Sequence, residues 1–228
     1  RAIADSVIKA LDDNRMRLVL QSMVSAKTGK PEIYECLLRM EKPNGEVVSA
    51  GEFVPVAERL GLSRLIDRRT LELTIDLLKK HPDLVLSLNV SGLTCSDQEW
   101  IATLRRLTDM RKDLLKRLVV EITETVAIED LDQSINFVDT LKEFGCRVAI
   151  DDFGAGYTSF KNLKLLNVDM VKIDGVFVKN LANDASDQIF IKTMINLAHS
   201  FGMETVAEWV SDERSVRLLT EAGITYMQ

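Results

Sequence analysis

Apolar runs of strand length recur along this chain, and nearly every one delivers a polar residue at its downstream end. The runs at 33–34, 84–88, 118–120, 148–150, 170–171 and 205–207 lead to Glu35, Asn89, Glu121, Asp151 with Asp152, Lys172 and Glu208. A last run, 224–227, leads to Gln228. Between most of these runs lies an amphipathic segment of helical length. Near-continuous apolar strands alternating with helices imply a parallel sheet covered by helices. In a parallel β/α barrel, the downstream ends of all strands open onto one mouth, and catalytic groups are drawn from there. The pattern thus predicts five carboxylates, an amide and a lysine gathered at one barrel mouth.

The first two strands depart from that rhythm. Residues 17–25 and 32–40 are apolar-rich and separated only by Lys27-Thr28-Gly29-Lys30-Pro31, a hairpin signature. An antiparallel pair is expected there, followed by a loop at 42–45 and helices at 50–60 and 64–80. From residue 84 onward, strands at 84–89, 118–122, 147–151, 170–173, 204–207 and 224–228 alternate with helices. Those helices are expected at 97–109, 130–144, 158–165, 187–201 and 212–222. Gly145, Gly202 and Gly223 each stand just past one of them, where a left-handed residue commonly ends a helix. With the hairpin, the strands are enough to close an eight-stranded barrel. Residues 1–15 read as an upstream linker helix and 16–228 as the barrel domain, its C-terminal end truncated. The chain starts without Met and stops inside an apparent strand, so it is expected to be a piece of a larger protein.

At 228 residues the chain is of ordinary size for one α/β barrel. Its net charge of −6 leaves no basic field to hold a nucleic-acid polymer or an anionic membrane. An anionic substrate would have to be held by metal ions and a few local basic side chains. Cys36, Cys95 and Cys146 are odd in number and widely spaced, which points to free thiols in a reducing compartment. There is no signal-peptide pattern and no long uncharged apolar stretch. A soluble, cytoplasmic segment is expected, including the cytoplasmic part of a membrane-bound protein.

A single acid at a strand end is commonly a helix cap or a solvated loop residue. Adjacent acids after buried strands are a different matter. Asp151 and Asp152 repel each other unless cations neutralise them, and the first can bridge two ions while the second ligates one. Oxygen ligands without His or Cys favour Mg²⁺ or Mn²⁺ over Zn²⁺. The two histidines, His81 at a helix end and His199 within an amphipathic helix, read as structural or solvated. Lys172 is costly to point into a barrel unless carboxylates surround it. Its bland reading is a lysine reaching to the rim; its functional one is a cation that orients or deprotonates an attacking water. Gly154 and Gly156 mark a flexible loop after the double aspartate.

These residues fall into blocks that resemble the EAL domains, bacterial phosphodiesterases that open cyclic di-GMP to linear 5'-pGpG. The name-giving motif corresponds to Glu35-Cys36-Leu37, extended to Arg39. It is followed in order by Asn89-Val90-Ser91, Glu121-Ile122-Thr123-Glu124, Asp151 to Tyr157, Lys172-Ile173-Asp174, Ala207-Glu208 and Gln228. The match runs over nearly the whole chain from Leu18. The resemblance implies a TIM-like (β/α)8 barrel with one antiparallel strand, in agreement with the hairpin. It also implies two metal ions. Glu35, Asn89, Glu121 and Asp151 would hold the first; Asp151, bridging, with Asp152 and Glu208 the second. Lys172 would position the attacking water, with Glu208 a rival for the general-base role. Gln21 and Gln228 would line the pocket, Leu37 would contact a guanine and Arg39 a phosphate. Glu124 would anchor the loop at 152–160, which in this family couples metal occupancy to dimerisation. A homodimer fused to other signalling domains, such as a GGDEF or sensor domain, is the implied setting.

The chain departs from the family pattern at four places. Cys36 replaces Ala and Ser22 replaces a usual Pro, both mild changes. After Ala207-Glu208 the common Gly-Val-Glu is Trp209-Val210-Ser211, which loses an acid and brings an indole to the mouth. The complete ligand set favours an enzyme over a receptor that binds cyclic di-GMP without turning it over. A purely structural barrel explains neither the clustered acids nor Arg39.

Overall fold

A computed structural model describes residues 2–156 and 159–228. Among these residues nine strands form one sheet: β1 (Met16–Ser25), β2 (Pro31–Glu41), β3 (Val47–Ser49), β4 (Leu86–Asn89), β5 (Leu118–Thr123), β6 (Arg147–Phe153), β7 (Met170–Ile173), β8 (Glu204–Ala207) and β9 (Tyr226–Met227). From β4 to β9 each strand lies parallel to the next, and β2 joins parallel to β4. The ring closes through β1, which runs antiparallel to both of its neighbours, β2 and β9. The result is an eight-stranded α/β barrel with one antiparallel strand. The hairpin causes the inversion: the Ser25 N–H donates to the Lys30 carbonyl at 2.9 Å across a turn too short for a crossover helix.

β3 lies outside the ring, paired antiparallel with the far end of β2. Three residues carry no readable periodicity, and no strand is expected there from sequence. The same holds for the short helices Lys112–Leu115, Glu124–Glu129 and Gly175–Val178. The longer helices fall where the amphipathic pattern places them, within about two residues of the expected ends. Tyr157 of the Asp151 motif, and Thr158 where one helix was expected to begin, lie outside the described residues. The neighbouring helix runs Phe160–Leu166.

The core has two compartments around the sheet. Outward-facing strand residues pack on the helices in one large cluster that includes Leu88, Val120, Ile122, Val148, Ile150 and Val171. Inward-facing residues Met23, Ile33, Val119, Ala149, Met170, Val206 and Tyr226 fill the barrel near its amino end. A smaller cluster packs the helix Ala2–Asp12, through Val7 and Ala10, against Met16, Leu38, Met40 and Phe53.

Candidate active site

Two residues beyond the apolar layer, on the same inward face, the strands change character. Successive side chains alternate faces, so Ile33, Val119, Ala149 and Met170 are followed inside the barrel by Glu35, Glu121, Asp151 and Lys172. Lys172 is 0% exposed and stands at the centre. Its Nζ lies 2.9 Å from Glu121 Oε1, 3.1 Å from Glu35 Oε2, 3.3 Å from Glu208 Oε1 and 3.7 Å from Asp151 Oδ1. Four carboxylates from four strands surround one buried ammonium, as its burial requires. Glu35, expected at a strand end, stands mid-way along β2, which runs on past the ring to pair with β3.

The amides hold this arrangement from the sides. Asn89 Nδ2 donates to Glu35 Oε1 at 2.7 Å, which leaves the Asn89 carbonyl oxygen available to a cation. Gln228 Nε2 donates to Glu35 Oε2 at 2.5 Å and to Gln21 Oε1 at 3.2 Å, so both glutamines reach the mouth. The Gln228 side-chain oxygen, Oε1, is buried without a donor among the described residues. Ser87 Oγ donates to Glu121 Oε2 at 3.2 Å. That serine was not singled out from sequence, although a lone hydroxyl inside the apolar run Leu84-Val85-Leu86-Ser87-Leu88 was a readable sign of an inward polar position.

The electrostatics are unbalanced. Burial works against the Lys172 charge, but Glu121, Asp151, Glu35 and Glu208 outweigh it and push its pKa well up, so the amine is held as a cation. One cation does not neutralise five acids. Burial raises Glu121 well above the usual carboxylate range and raises Asp151 as well, with Lys172 offsetting only part. Burial and the neighbouring Asp151 push Asp152 to about 6, and burial lifts Glu208 to about 7. Glu35 alone ends below its ordinary value: burial is its largest single influence, but Lys172, Asn89 and Gln228 together overcome it.

Carboxylate oxygens of Glu35, Glu121 and Asp151 lie within 4.8 Å of one another, and so do those of Asp151, Asp152 and Glu208. The two groups share Asp151. Oxygen-only donors gathered at this spacing with excess negative charge fit hard divalent cations. Asp152 reaches its group through a left-handed backbone (φ 53°), its N–H donating to Asp151 Oδ1 at 2.9 Å. Helix capping, the bland reading of an acid, describes others: Asp97, Asp130, Asp174, Asp184 and Asp212 each cap a helix N-terminus.

Around the centre, Glu124 is buried and its Oε2 accepts from the N–H groups of Gly154 at 3.2 Å and Gly156 at 2.8 Å. A Cβ at Gly156 would stand 2.8 Å from the same oxygen, so the glycine allows the loop to close on its anchor. Leu37 lines a cavity of about 480 Å³ together with Asn89, Ser91, Thr123 and Asp152. Arg39 follows on the same face of β2 and donates to the Leu38 carbonyl at 2.9 Å. Among the described residues, no carboxylate of the central cluster bonds to it. Trp209 is left-handed (φ 59°), 63% exposed, and lays its indole over Gly175, where a Cβ would fall 2.3 Å from the ring. Ser211 is exposed.

An eight-stranded α/β barrel with one inverted strand and an acid-rich mouth defines a narrow class. The chain belongs to the EAL domain family, whose model matches residues 4–228. It is 32% identical over 232 residues to a cyclic di-GMP phosphodiesterase, PdeF, of Escherichia coli K12, covering 100% of this chain and 31% of that protein. The chain thus spans about a third of that relative's length. Among solved structures it is similar to the PaMucR phosphodiesterase in complex with c-di-GMP (TM-score 0.90, 29% identity, 100% of this chain and 94% of that one). It is equally similar to the FimX EAL domain of Pseudomonas aeruginosa bound to c-di-GMP (TM-score 0.92, 30% identity, 100% and 93%).

Proposed function

We propose that this domain hydrolyses one phosphodiester of cyclic di-GMP, giving linear 5'-pGpG, with two Mg²⁺ or Mn²⁺ ions. The observation that carries the reading is the pair of oxygen clusters sharing Asp151. Ions held by these oxygens would supply Lewis-acid stabilisation of the attacking and leaving oxygens and of charge developing on phosphorus. Glu35, Glu121, Asp151 and the Asn89 carbonyl oxygen would hold one ion; Asp151, Asp152 and Glu208 the other. Lys172, held as a cation, donates toward the attacking water and keeps it oriented. Glu208 has the most exposed side chain of the four Lys172 partners, at 17%, and is best placed to accept the water's proton. Leu37 would pack on a guanine in the cavity beside Asn89, Gln21 and Gln228 would line the mouth, and Arg39 would reach a phosphate. Glu124 would hold the loop carrying Asp152.

The setting is part of the proposal. No helix among the described residues is long and apolar enough to cross a membrane. A cytoplasmic location, a homodimer through the region after Asp152, and fusion to GGDEF or sensor domains fit the family. The chain's small share of its relative's length supports the last of these.

The test is incubation with cyclic di-GMP and Mg²⁺ or Mn²⁺, followed by chromatography of the nucleotides. Linear dinucleotide is expected from the parent and not from Glu35→Ala. Ca²⁺ should support binding better than turnover, because it accepts longer bonds and looser geometry. Binding without product under every metal would mark a receptor, and neither binding nor product would overturn the reading.

A further inference from the structure

Asp67 lies far from the metal cluster in sequence and on the buried face of the helix Ser63–Lys80. It is 8% exposed, and burial raises its pKa despite its hydrogen bonds. Desolvating a carboxylate destabilises a fold, and an apolar side chain would suit this helical stripe better. Among the described residues, three hydrogen bonds reach its side chain and all fall on one oxygen. Oδ2 accepts from the Ser91 N–H at 2.8 Å, from Ser91 Oγ at 2.7 Å and from the buried Thr94 Oγ1 at 2.6 Å. Ser91 is two residues past Asn89, where β4 ends and the chain turns. The Val90 N–H, on the other side, donates to the Glu121 carbonyl at 3.0 Å.

Asn89 has two tasks that a mobile strand end could not perform together. Its Nδ2 must meet Glu35, and its carbonyl oxygen must face a cation from the opposite side of the same planar amide. The strand supplies one fixed point at Val90, and the helix supplies another at Ser91. We infer that Asp67 is a positioning residue for the metal centre, fixing the loop through Ser91 and Thr94 so that the Asn89 amide is presented to the first ion. This rests on the two-ion reading of the mouth. Asp67 also lines the cavity beside Leu37, so its effect on the ion is separated from any contact with nucleotide by measuring metal alone, where it acts only through Asn89.

Calorimetric titration of the domain with Mn²⁺ alone, without nucleotide, tests it. Asp67→Ala should weaken one of the two Mn²⁺ sites by about 10–100-fold, the usual scale for residues that orient ligands. Asp67→Asn should keep most of the affinity, since its amide oxygen can accept the same three bonds. The decisive measurement is the double variant with Asn89→Ala. If Asp67 acts through Asn89, the pair binds no more weakly than Asn89→Ala alone, whereas independent contributions multiply. Multiplying losses, or full affinity in Asp67→Ala, would overturn the inference. Should Asp67→Ala not fold, Thr94→Val removes one tether at nearly constant shape. It should then reproduce part of the loss, and an unchanged affinity there counts against the proposal. A parent that takes up no Mn²⁺ at all overturns the two-ion reading itself, and this inference with it.

Discussion

Inside the barrel, one step of two residues along a strand passes from hydrocarbon to charge. Ile33 leads to Glu35, Val119 to Glu121, Ala149 to Asp151, Met170 to Lys172 and Val206 to Glu208. On the inverted strand the order reverses, from Met23 up to Gln21. The lower layer satisfies itself: its side chains are almost wholly removed from water, each large one contributing about 1.5–3 kcal/mol. The upper layer does not, since it sets one lysine against five carboxylates, four of them facing it, and several are pushed toward protonation. Neighbouring layers of one barrel are therefore built to different ends. The lower holds the strands in register, and the upper stores unsatisfied negative charge that a divalent cation would relieve.

The largest expected effect separates the layers by function. Asp151→Ala removes the carboxylate common to both oxygen groups, and phosphodiesterase activity should fall to background while the domain stays folded. Ile33→Ala should do the reverse, destabilising by about 2–5 kcal/mol while the folded fraction still binds Mn²⁺. Paired activity assays and denaturant curves read both. Near-parent rates in Asp151→Ala would dissolve the distinction.

Lys172→Met comes next. It removes the one cation of the upper layer and leaves four facing carboxylates uncompensated, a loss of about 3–5 kcal/mol for a broken buried pair. Measured in EDTA at pH 8, its unfolding midpoint should drop sharply, and Mg²⁺ should restore part of the loss. A variant as stable as the parent without metal would show that the carboxylates are already neutral.

Acidity offers a milder probe. In the metal-free protein Glu208 titrates near 7 and Asp152 near 6, both raised by burial above the ordinary carboxylate value. The folded state thus holds these protons more tightly than the unfolded chain. Their stabilisation is full below the unfolded pKa of about 4 and is lost as pH rises through about 6 to 7. For Glu208 this is on the order of 1–3 kcal/mol, and for exposed Asp152 it is less, because solvent screens it. Melting temperature in EDTA should therefore fall between pH 5.5 and 8. Mg²⁺ affinity should rise over the same interval, since protons compete with the ion. A melting temperature that is flat with pH in EDTA would contradict a strained upper layer.

Both layers were legible in the sequence to the extent that period-two alternation and buried runs make strand ends visible. Glu35, Glu121, Asp151 and Lys172 could be placed at one mouth because a parallel barrel brings strand ends together whatever the loops do. Contacts made across the chain were not legible. Asp67 sits in a helix whose buried stripe includes Ser63, Ile66, Thr70 and Leu71, and an acid at a stripe position was its one available sign. Nothing local announces that it reaches Ser91. The sequence marks Ser87 as an inward polar position but not its bond to Glu121, and it does not tell that the extra strand Val47–Ser49 extends β2 beyond the ring.

The smallest effects belong to the loop after Glu208, where Trp209 stands in place of the family's glycine. Its left-handed backbone explains why glycine suits this position, and a bulky residue there is strained by about 1–2 kcal/mol. The indole recovers part of that by covering Gly175, rather than by filling the barrel. Trp209→Gly trades the contact for relief of strain, so its stability should lie within about 1 kcal/mol of the parent. The coupling is the sharper measurement. Gly175→Ala puts a Cβ 2.3 Å from the indole and should cost about 1–3 kcal/mol in the parent. In the Trp209→Gly background the same change should be close to neutral. Equal costs in both backgrounds would mean the indole does not rest there. Ser211 is exposed, so restoring the acid with Ser211→Glu would act on the proposed second ion only through solvent. Initial rates across a Mg²⁺ titration should show a requirement lowered by no more than about tenfold, the weak end of outer-sphere effects. A larger gain would bring that loop into the upper layer.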